Sequence, residues 1–385
     1  MTTQSEFYRA LAQSLFQHAQ NFHGTDNWDA ARFGKRRKSL KHTVAEIVFF
    51  LLPNAFLRLN LFLRPGRHEA IVADKFTAKL DGLLASHGAG LANTYNMLAD
   101  DYSRHALVEV MAYRLLGFRH VKLWTNTPDY WSVRAVADSL ATQGSEIETG
   151  IDILRLSQTD LRPIGYPITV FAHPISISHQ FLLTQYAYKQ ITPPIWLREG
   201  DYVIDAGAAW GETALRFAHE VGEQGRIYSF EFEPQNLKIL ERNLGLNPQL
   251  ASRITVVERA LWSNSSTLLT FSPQGPGTKV SQDVDGAQEQ KISSISIDDF
   301  AKSLPRVDFI KMDIEGAELF ALQGAEQTLR KHRPNLAISL YHSLSDFVDI
   351  PAYLASLGLA YDYYLDHATI HREETVLFAT KSPRD

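Results

Sequence analysis

A strand-to-helix turn with two glycines is the segment of the 385-residue sequence whose residue types point most directly to ligand binding. Residues 200–213 read GDYVIDAGAAWGET, in which a hydrophobic strand ends at Asp205 and a helix begins near Gly211. Gly207 has no Cβ, so the backbone there can approach a ligand closely. The free amides at the helix start carry a partial positive charge that suits a carboxylate. The turn therefore predicts a site for a nucleotide-type ligand that carries a carboxylate.

The glycine spacing in this turn distinguishes two kinds of cofactor. A dinucleotide fingerprint needs Gly-x-Gly-x-x-Gly, whereas Gly207 and Gly211 stand four positions apart. The Asp205 carboxylate would repel a pyrophosphate and attract an ammonium group. S-adenosylmethionine fits both the glycine spacing and the attraction of Asp205 for an ammonium group. The methionine end of this cofactor is expected to contact Asp205, Gly207, Ala208, Gly211, Glu212 and Thr213. The alternative is a tight turn that binds no ligand.

Two acids at the ends of the following predicted strands extend this site. The strand over residues 226–232 leads to Glu233, whose carboxylate can accept both hydroxyls of a ribose. Pro234 suits the first turn of the next helix, which places Glu233 at the strand tip. Glu231 shares that face by alternation, but we expect it to lie deeper and to pair with a cation. Glu258, at the end of the third strand, and Asp313, after the fourth, complete the predicted cofactor site.

Three carboxylates within six residues mark a candidate catalytic centre. Asp313, Glu315 and Glu318 follow a buried strand, and His342 ends the next strand along the chain. Because the carboxyl ends of parallel strands share one edge of a sheet, Asp313 and His342 are expected to face the same crevice as the cofactor. The pair can act as a general base or hold a divalent metal ion. A hydrogen-bonded structural imidazole is the alternative for His342.

Alternating strands and helices must position these residues. The last two predicted strands are joined by a loop too short for a parallel crossover, so they should form an antiparallel hairpin. A mostly parallel sheet with an antiparallel last strand is the α/β arrangement of class I methyltransferases, a Rossmann-like fold, whereas a dinucleotide-binding domain usually ends in a parallel strand. The seven predicted strands cover residues 202–205, 226–232, 254–258, 308–312, 335–341, 359–365 and 375–380.

The length of the chain favours two domains, because single hydrophobic cores stop growing at roughly 250 to 300 residues. The amino-terminal part has helical periodicity, clearest over residues 103–116, with a short strand predicted at 120–124 and a helix after Pro128. The predicted division is a helix-rich amino-terminal domain over 1–150, a connector hairpin and helix over 151–195, and a methyltransferase domain over 196–385. The connector helix is predicted over 181–188.

Several segments resemble the FkbM-type S-adenosylmethionine-dependent methyltransferases, over residues 205–379. They are the DAGAAWGET loop, FEP at 232–234, SIDD at 296–299 and FIKMDIEGAE at 309–318. A longer subgroup is similar in LYH at 340–342, IP at 350–351, LDH at 365–367 and ETV at 374–376. Ala209 and Trp210 depart from the family, which usually has Asn and then a smaller aliphatic residue. The resemblance implies O-methylation, often of a sugar or natural-product hydroxyl.

Composition excludes other classes of partner. The absence of cysteine excludes disulfide frameworks and thiolate metal sites, and it fits a cytoplasmic protein. Residues 1–195 carry 20 basic and 16 acidic side chains, whereas residues 196–385 carry 18 and 27. An acidic half repels phosphate backbones, so we expect a small-molecule or glycan acceptor and no nucleic acid. The sequence indicates no oligomeric state.

The longest apolar run, residues 44–63, is too often interrupted by polar residues to be a transmembrane helix. Because six cations precede it, the alternatives are a membrane-surface element, a solvated basic turn and a buried helix. For the whole chain, a non-catalytic Rossmann-like binding or scaffold protein and a nicotinamide oxidoreductase are the competing hypotheses. The intact glycines and acids oppose the first, and the glycine spacing opposes the second.

Overall fold

A seven-stranded sheet forms the centre of the structure, a computed structural model that describes residues 4–19, 21, 23–24, 26–33, 78–141, 145–149, 154–282 and 290–381. In these ranges the strands are β1 (Glu146–Glu148), β2 (Arg155–Asp160), β3 (Thr169–Ala172), β4 (Tyr202–Ala206), β5 (Arg226–Phe230), β6 (Ile254–Val257), β7 (Ala260–Leu261), β8 (Leu268–Phe271), β9 (Val280–Ser281), β10 (Gln290–Ile295), β11 (Phe309–Met312), β12 (Asn335–Ser339), β13 (Tyr361–His367) and β14 (Thr375–Lys381).

The central sheet has the strand order β13-β14-β12-β11-β4-β5-β6. The strands from β12 to β6 in this order are parallel to their neighbours, whereas β14 runs antiparallel to both β12 and β13. This confirms the predicted class I methyltransferase arrangement, and all seven predicted strands lie close to their predicted positions. Two smaller sheets, β1-β2-β3 and β7-β10-β8-β9, accompany the central one.

The inner strands of this sheet are apolar on both faces, as expected for parallel strands covered by helices. All four residues of β11 are buried. In β4, Val203 and Ile204 belong to separate hydrophobic clusters, one on each face. Helices of the described chain cover residues Gln4–Ala19, Ala30–Phe33, Ala89–Met97, Asp101–Leu116, Pro128–Ala141, Pro174–Ile177, Glu212–Glu220, Pro234–Leu246, Pro248–Ala251, Ile297–Ala301, Glu318–Gln323, Glu326–His332 and Asp346–Ser356.

The amino-terminal helices share one hydrophobic core with the sheet. Phe7, Leu91 and Leu107 belong to the same cluster of buried side chains as Ile310 and Leu336 of β11 and β12. The helix Asp101–Leu116 packs against β13, and Ala89–Met97 packs against Asp346–Ser356. The division of the chain at residues 150 and 195 stays a prediction, since these contacts show joint packing and not a boundary.

Two local predictions before residue 200 were wrong. Residues 120–124 form turns and an irregular segment without a strand, and Val121 and Leu123 bury their side chains in the core. The helix predicted over 181–188 ends at Leu183, because Thr184 adopts a left-handed conformation with φ 54°. The chain therefore continues past Thr184 in non-helical form, which brings Tyr186 to the carboxylate of Asp313.

The described part of the chain contains no helix that is long and apolar enough to cross a membrane. The apolar run over residues 44–63 lies outside the described residues. Of the six cations that precede the run, Arg32 is described, and its Nη1 pairs with Glu373 Oε2 at 2.8 Å.

Candidate active site

The glycine turn after β4 has positive φ angles at the two positions where glycine was predicted to matter. Gly207 has φ +82°, and a Cβ built there would overlap the carbonyl oxygen of Asp313. Gly211 has φ +86° and precedes the helix Glu212–Glu220 without a side-chain cap. The amides of the first turn of this helix can therefore receive a ligand carboxylate.

Asp205 lies beneath this turn and pairs with a buried lysine. Lys311 Nζ lies 3.2 Å from Asp205 Oδ1 and donates to the carbonyl oxygens of Ala206 and Gly207 at 3.0 and 2.6 Å. Asp205 is fully buried and lines neither of the two cavities that adjoin the glycine turn. The pair therefore holds the turn in place, and the geometry gives no support to the predicted contact of Asp205 with an ammonium group.

Two cavities adjoin at the carboxyl edge of the central sheet. The main cavity, of about 240 Å³, lies over the glycine turn, and the narrow cavity, of about 40 Å³, lies beside β5 and β7. The narrow cavity is lined by residues that include Phe230, Phe232, Arg259, Ala260 and Ile314. Because both cavities have Gly207, Glu231, Pro276, Asp313 and Glu315 in their walls, one elongated ligand can occupy both.

The two acids after β5 differ in their surroundings. Glu233, the predicted ribose ligand, caps the helix Pro234–Leu246 by accepting the amide of Asn236 at 2.7 Å, and it lines neither cavity. Glu231 lies in the walls of both cavities and accepts the amides of Phe232 and Glu233 at 2.7 and 2.8 Å. Burial raises the pKa of Glu231 to about 7. Glu231 is thus the acid that lies where an elongated ligand would cross between the cavities.

The remaining residues predicted for the cofactor divide into two groups. Ala208, Glu212 and Thr213 lie in the wall of the main cavity, and burial raises the pKa of Glu212 to about 7. Glu258 is exposed and lines neither cavity, whereas the next residue, Arg259, lines the narrow one. The residue predicted at this strand end, Glu258, is therefore one position before the residue that lines the cavity.

Asp313 is held by two tyrosine hydroxyls. Tyr186 Oη donates to Asp313 Oδ2 at 2.8 Å, and Tyr341 Oη donates to Oδ1 at 2.9 Å. His342 Nε2 lies 3.3 Å from Oδ1. Burial alone would raise the pKa of Asp313. The hydrogen bonds and charges of His342, Lys311 and Tyr186 outweigh burial and keep the pKa of Asp313 below its usual range. Asp313 is therefore ionised, and both of its oxygens already accept hydrogen bonds.

His342 lies next to Asp313, at the end of the adjacent strand, and is surrounded by carboxylates. Its Nδ1 lies 3.2 Å from Glu318 Oε1, and its Nε2 lies 3.5 Å from Glu315 Oε2. Burial lowers the pKa of His342, but Asp313, Glu315 and Glu318 outweigh burial and raise it far above its usual range. The imidazole is then protonated at neutral pH, so the structure does not support its predicted role as the proton acceptor.

Glu374 is a candidate that the sequence reasoning did not single out. It precedes β14 with φ 68°, a conformation that residues other than glycine rarely adopt. Its side chain lines the main cavity, and Oε2 is buried without a hydrogen-bond partner among the described residues. Burial and the negative charge of Asp313 raise the pKa of Glu374. The signal in the sequence was the ETV segment at 374–376, which carried no assigned role.

Three other residues of the site were missed for different reasons. Lys311 is a charged residue in a fully buried strand and alternates onto the face of Asp313, a signal that pointed to the site. Tyr341 belongs to the LYH segment at 340–342, in which a role was assigned to His342 alone. Tyr186 comes from the connector, and no local pattern indicates that its hydroxyl reaches Asp313.

Comparison with known proteins gives the family of this site. Residues 205–363 match the family model of the methyltransferase FkbM domain. Methyltransferase 1 of Beauveria bassiana (strain ARSEF 2860) is 26% identical over 185 residues, which cover 42% of this chain and 73% of that protein. Methyltransferase sdnD of Sordaria araneosa is 28% identical over 181 residues, which cover 37% of this chain and 69% of that protein.

A solved structure is also similar. The crystal structure of the methyltransferase FkbM from Methylobacillus flagellatus KT aligns with a TM-score of 0.48 at 23% identity, over 77% of this chain and 59% of that chain. The strand order of the central sheet and the match to the family model agree on the fold. The chain therefore carries, at residues 205–363, a methyltransferase FkbM domain.

Proposed function

We propose that the protein transfers the methyl group of S-adenosylmethionine to a hydroxyl of a sugar or natural-product acceptor. The acceptor oxygen attacks the methyl carbon, the carbon–sulfur bond breaks with its electron pair going to sulfur, and S-adenosylhomocysteine leaves. The hydroxyl proton passes to a carboxylate of the site. The observation that carries this proposal is Glu374, a carboxylate in the wall of the cavity over the glycine turn with a buried oxygen that no described residue partners.

The two adjoining cavities support an elongated cofactor. We place the methionine over the Gly207 turn, with its carboxylate at the start of the helix Glu212–Glu220, and the ribose hydroxyls at Glu231, so that the adenine points toward the narrow cavity. The sulfonium then lies in a cavity with Asp313, Glu315 and Glu374 in its wall. These acids favour a positive charge, and transfer of the methyl group removes that charge from sulfur.

Glu374 is the better proton acceptor of the two inner carboxylates. Asp313 accepts hydrogen bonds from Tyr186 and Tyr341 and has a lowered pKa, which makes it a weak base. Glu374 has an oxygen without a partner among the described residues and a raised pKa, which lies nearer to neutral pH. In the proposal Asp313 and the protonated His342 position the tyrosine hydroxyls, and Glu374 receives the proton.

A divalent cation is a second candidate for activating the hydroxyl. Asp313, Glu315 and His342 each offer one ligand atom, and these atoms lie within 4.8 Å of one another. Binding would require His342 to release its Nε2 proton, while Glu318, 3.2 Å from Nδ1, would orient the imidazole. Turnover that falls on adding EDTA and returns with Mg²⁺ or Mn²⁺ would establish the metal-assisted version.

The proposed function is tested by binding and by product analysis. Calorimetry with S-adenosylmethionine is expected to show a dissociation constant in the range of about 1 to 100 μM, and mass spectrometry is expected to detect S-adenosylhomocysteine after incubation with a hydroxyl acceptor. Binding of a nicotinamide dinucleotide without S-adenosylmethionine binding would contradict the proposal. If the protein binds S-adenosylmethionine but methylates only nitrogen or carbon acceptors, the proposal of methyl transfer would stand and the proposal of a hydroxyl acceptor would fall.

A further inference from the structure

A second cavity, which has several polar side chains in its wall, lies beside the main cavity, and the proposed methyl transfer makes no use of it. We call it the side cavity; its walls come from the amino-terminal helices, the connector and the end of β13. Its volume of about 260 Å³ is similar to the 240 Å³ of the main cavity, so each can hold a group of similar size. Gln185 lies in the walls of both, and the neighbouring Tyr186 reaches Asp313. The two cavities are therefore close neighbours.

The walls of the side cavity combine carboxylate, ammonium, amide and hydroxyl groups. Asp129 and Asp366 share the wall with a single lysine, Lys189, so the wall carries a small excess of negative charge that disfavours an anionic ligand. Gln190 adds an amide, and threonine hydroxyls complete the polar set. Such a mixture of donors and acceptors matches the adjacent hydroxyls of an uncharged polyol, because each hydroxyl both donates and accepts.

The polar groups of this cavity are held in place by the fold. Tyr102 Oη donates to Asp366 Oδ1 at 2.8 Å and accepts from Trp124 Nε1 at 3.1 Å. The backbone amide of His367 donates to the same Oδ1 at 2.7 Å. Both of these hydrogen bonds use Oδ1, and among the described residues Asp366 Oδ2 is left for a ligand. Tyr102 and Tyr130 also supply aromatic rings to the wall, a common component of sugar-binding surfaces.

Gln185, at the junction of the two cavities, provides an independent indication of a ligand. Its side chain is 6% exposed, and its Oε1 is buried with no hydrogen-bond partner among the described residues. An unsatisfied buried acceptor costs about 1 to 3 kcal/mol, so a fold that retains one at a cavity junction is expected to satisfy it with a bound group. A hydroxyl of a molecule that spans both cavities would donate to this oxygen.

Resting on the proposed function, we propose that the side cavity binds the sugar unit next to the one that is methylated. The acceptor is then an uncharged oligosaccharide or glycoconjugate whose terminal unit enters the main cavity and whose next unit occupies the side cavity. A hydroxyl near the linkage donates to Gln185 Oε1, and Asp366, Lys189 and Gln190 recognise the second unit. Specificity for the acceptor is thereby assigned to the connector, the amino-terminal helices and β13.

The test compares one-unit and two-unit sugars on the complete chain loaded with S-adenosylhomocysteine. The probes are the methyl glycosides of glucose, galactose and N-acetylglucosamine, and the disaccharides maltose, cellobiose, lactose and chitobiose. Binding is measured by saturation-transfer NMR and calorimetry up to about 20 mM. At least one disaccharide is expected to bind about tenfold more tightly than the matching methyl glycoside.

A substitution at the open side of the side cavity makes the comparison specific. Gln190→Trp fills part of this cavity and is expected to weaken disaccharide binding about tenfold while the dissociation constant of S-adenosylmethionine is unchanged. The matched control is Gln249→Trp, at an exposed glutamine that lines none of the three cavities. This control is expected to leave sugar binding unchanged.

Three results would overturn the inference: equal binding of one-unit and two-unit sugars, no disaccharide binding in this concentration range, or equal effects of the two tryptophan variants. Each of these can occur with normal binding of S-adenosylmethionine, which leaves the proposed function standing. Loss of S-adenosylmethionine binding in the unmodified protein would instead contradict the proposed function, whatever the sugars do.

Discussion

At the scale of single residues, the site contains carboxylates that are held by hydrogen-bond donors and carboxylates with an oxygen that meets no donor among the described residues. Asp313 accepts two tyrosine hydroxyls, and Glu318 accepts two backbone amides and faces His342. Glu374 and Glu212 both line the main cavity with a buried oxygen that has no partner in the described chain, and of the two Glu374 is the one whose pKa is raised by the negative charge of Asp313. This contrast gives Glu374 the chemical freedom to accept a proton.

Replacing Glu374 by glutamine tests this assignment. Glu374→Gln keeps the shape of the side chain but removes the basic oxygen, so turnover is expected to fall on the order of 100-fold. The dissociation constant of S-adenosylmethionine, measured by calorimetry, is expected to change little. Glu373→Gln is the matched control, because this neighbouring glutamate pairs with Arg32 and Arg372 outside the three cavities. Normal turnover in Glu374→Gln would remove the residue from the mechanism.

The raised pKa of Glu374 also predicts the pH dependence of turnover. A base must be ionised to accept a proton, so turnover is expected to be high above the raised pKa of Glu374 and to be lost as the pH falls through it. A pH profile of kcat measures this, and the Glu374→Gln profile should lack the corresponding limb. A wild-type profile that is flat from acidic to alkaline pH would contradict the assignment.

The two acids after β5 give a paired test of ribose binding. Glu231→Gln is expected to weaken S-adenosylmethionine binding by about 10- to 100-fold, because Glu231 lies where the narrow and main cavities meet. Glu233→Gln should mainly destabilise the fold, by about 1 kcal/mol, because Glu233 caps the helix Pro234–Leu246. Calorimetry and thermal unfolding separate the two effects. The reverse pattern would restore Glu233 as the ribose ligand.

Sequence alternation placed both acids on one face and could not decide between them. The decision depends on where the strand ends: β5 ends at Phe230, two residues before its predicted end. This shift puts Glu231 at the cavity and leaves Glu233 to cap the helix. Glu374 escaped prediction for a related reason, since its position depends on β14 entering the sheet beside β12.

At the scale of elements, the turn after β4 was predictable because its glycines meet a steric requirement that the sequence shows directly. Gly207 and Gly211 both adopt positive φ angles. The connector was harder to predict, because Phe181–Tyr188 has a helical pattern but the helix ends before Tyr186. The hydrogen bond from Tyr186 to Asp313 joins segments that are 127 residues apart, a contact that no local pattern reports.

The turn itself can be tested by adding one methyl group. Gly207→Ala places a Cβ against the carbonyl oxygen of Asp313 at a φ of +82°, so unfolding free energy is expected to fall by more than about 1 kcal/mol and S-adenosylmethionine binding to be lost. Gly245→Ala is the control, because a Cβ there meets no atom within 4 Å. Thermal unfolding and calorimetry of both variants give the comparison. Unchanged binding in Gly207→Ala would mean that the backbone of this turn does not contact the cofactor.

At the scale of the whole molecule, the amino-terminal helices and the sheet form one packed body around a common core. Leu91 and Leu107 share a cluster with the central strands, and Tyr102 contributes to the side cavity. The sequence predicted this part as helix-rich, but its periodicity could not show which surface its apolar side chains cover. The helices thus serve stability and, in our proposal, acceptor recognition.

Removing these helices is expected to unfold the protein. A chain that starts at residue 196 would expose the apolar face of the sheet that Phe7, Leu91 and Leu107 help to cover. We expect it to lack a cooperative thermal transition and to bind no S-adenosylmethionine. A truncated chain that melts cooperatively and binds the cofactor would instead confirm the predicted boundary between separate domains.

The position of β14 also has a consequence for biosynthesis. This strand comes after β13 in sequence but lies between β12 and β13 in the sheet, and Glu374 immediately precedes it. Since the ribosome releases the chain in order, β12 and β13 emerge before the strand that joins them. A nascent chain therefore cannot complete its sheet, or place Glu374 in the main cavity, until residues 375–381 have left the exit tunnel. A ribosome that stalls shortly before this point leaves a chain with cofactor-binding elements and no assembled catalytic centre.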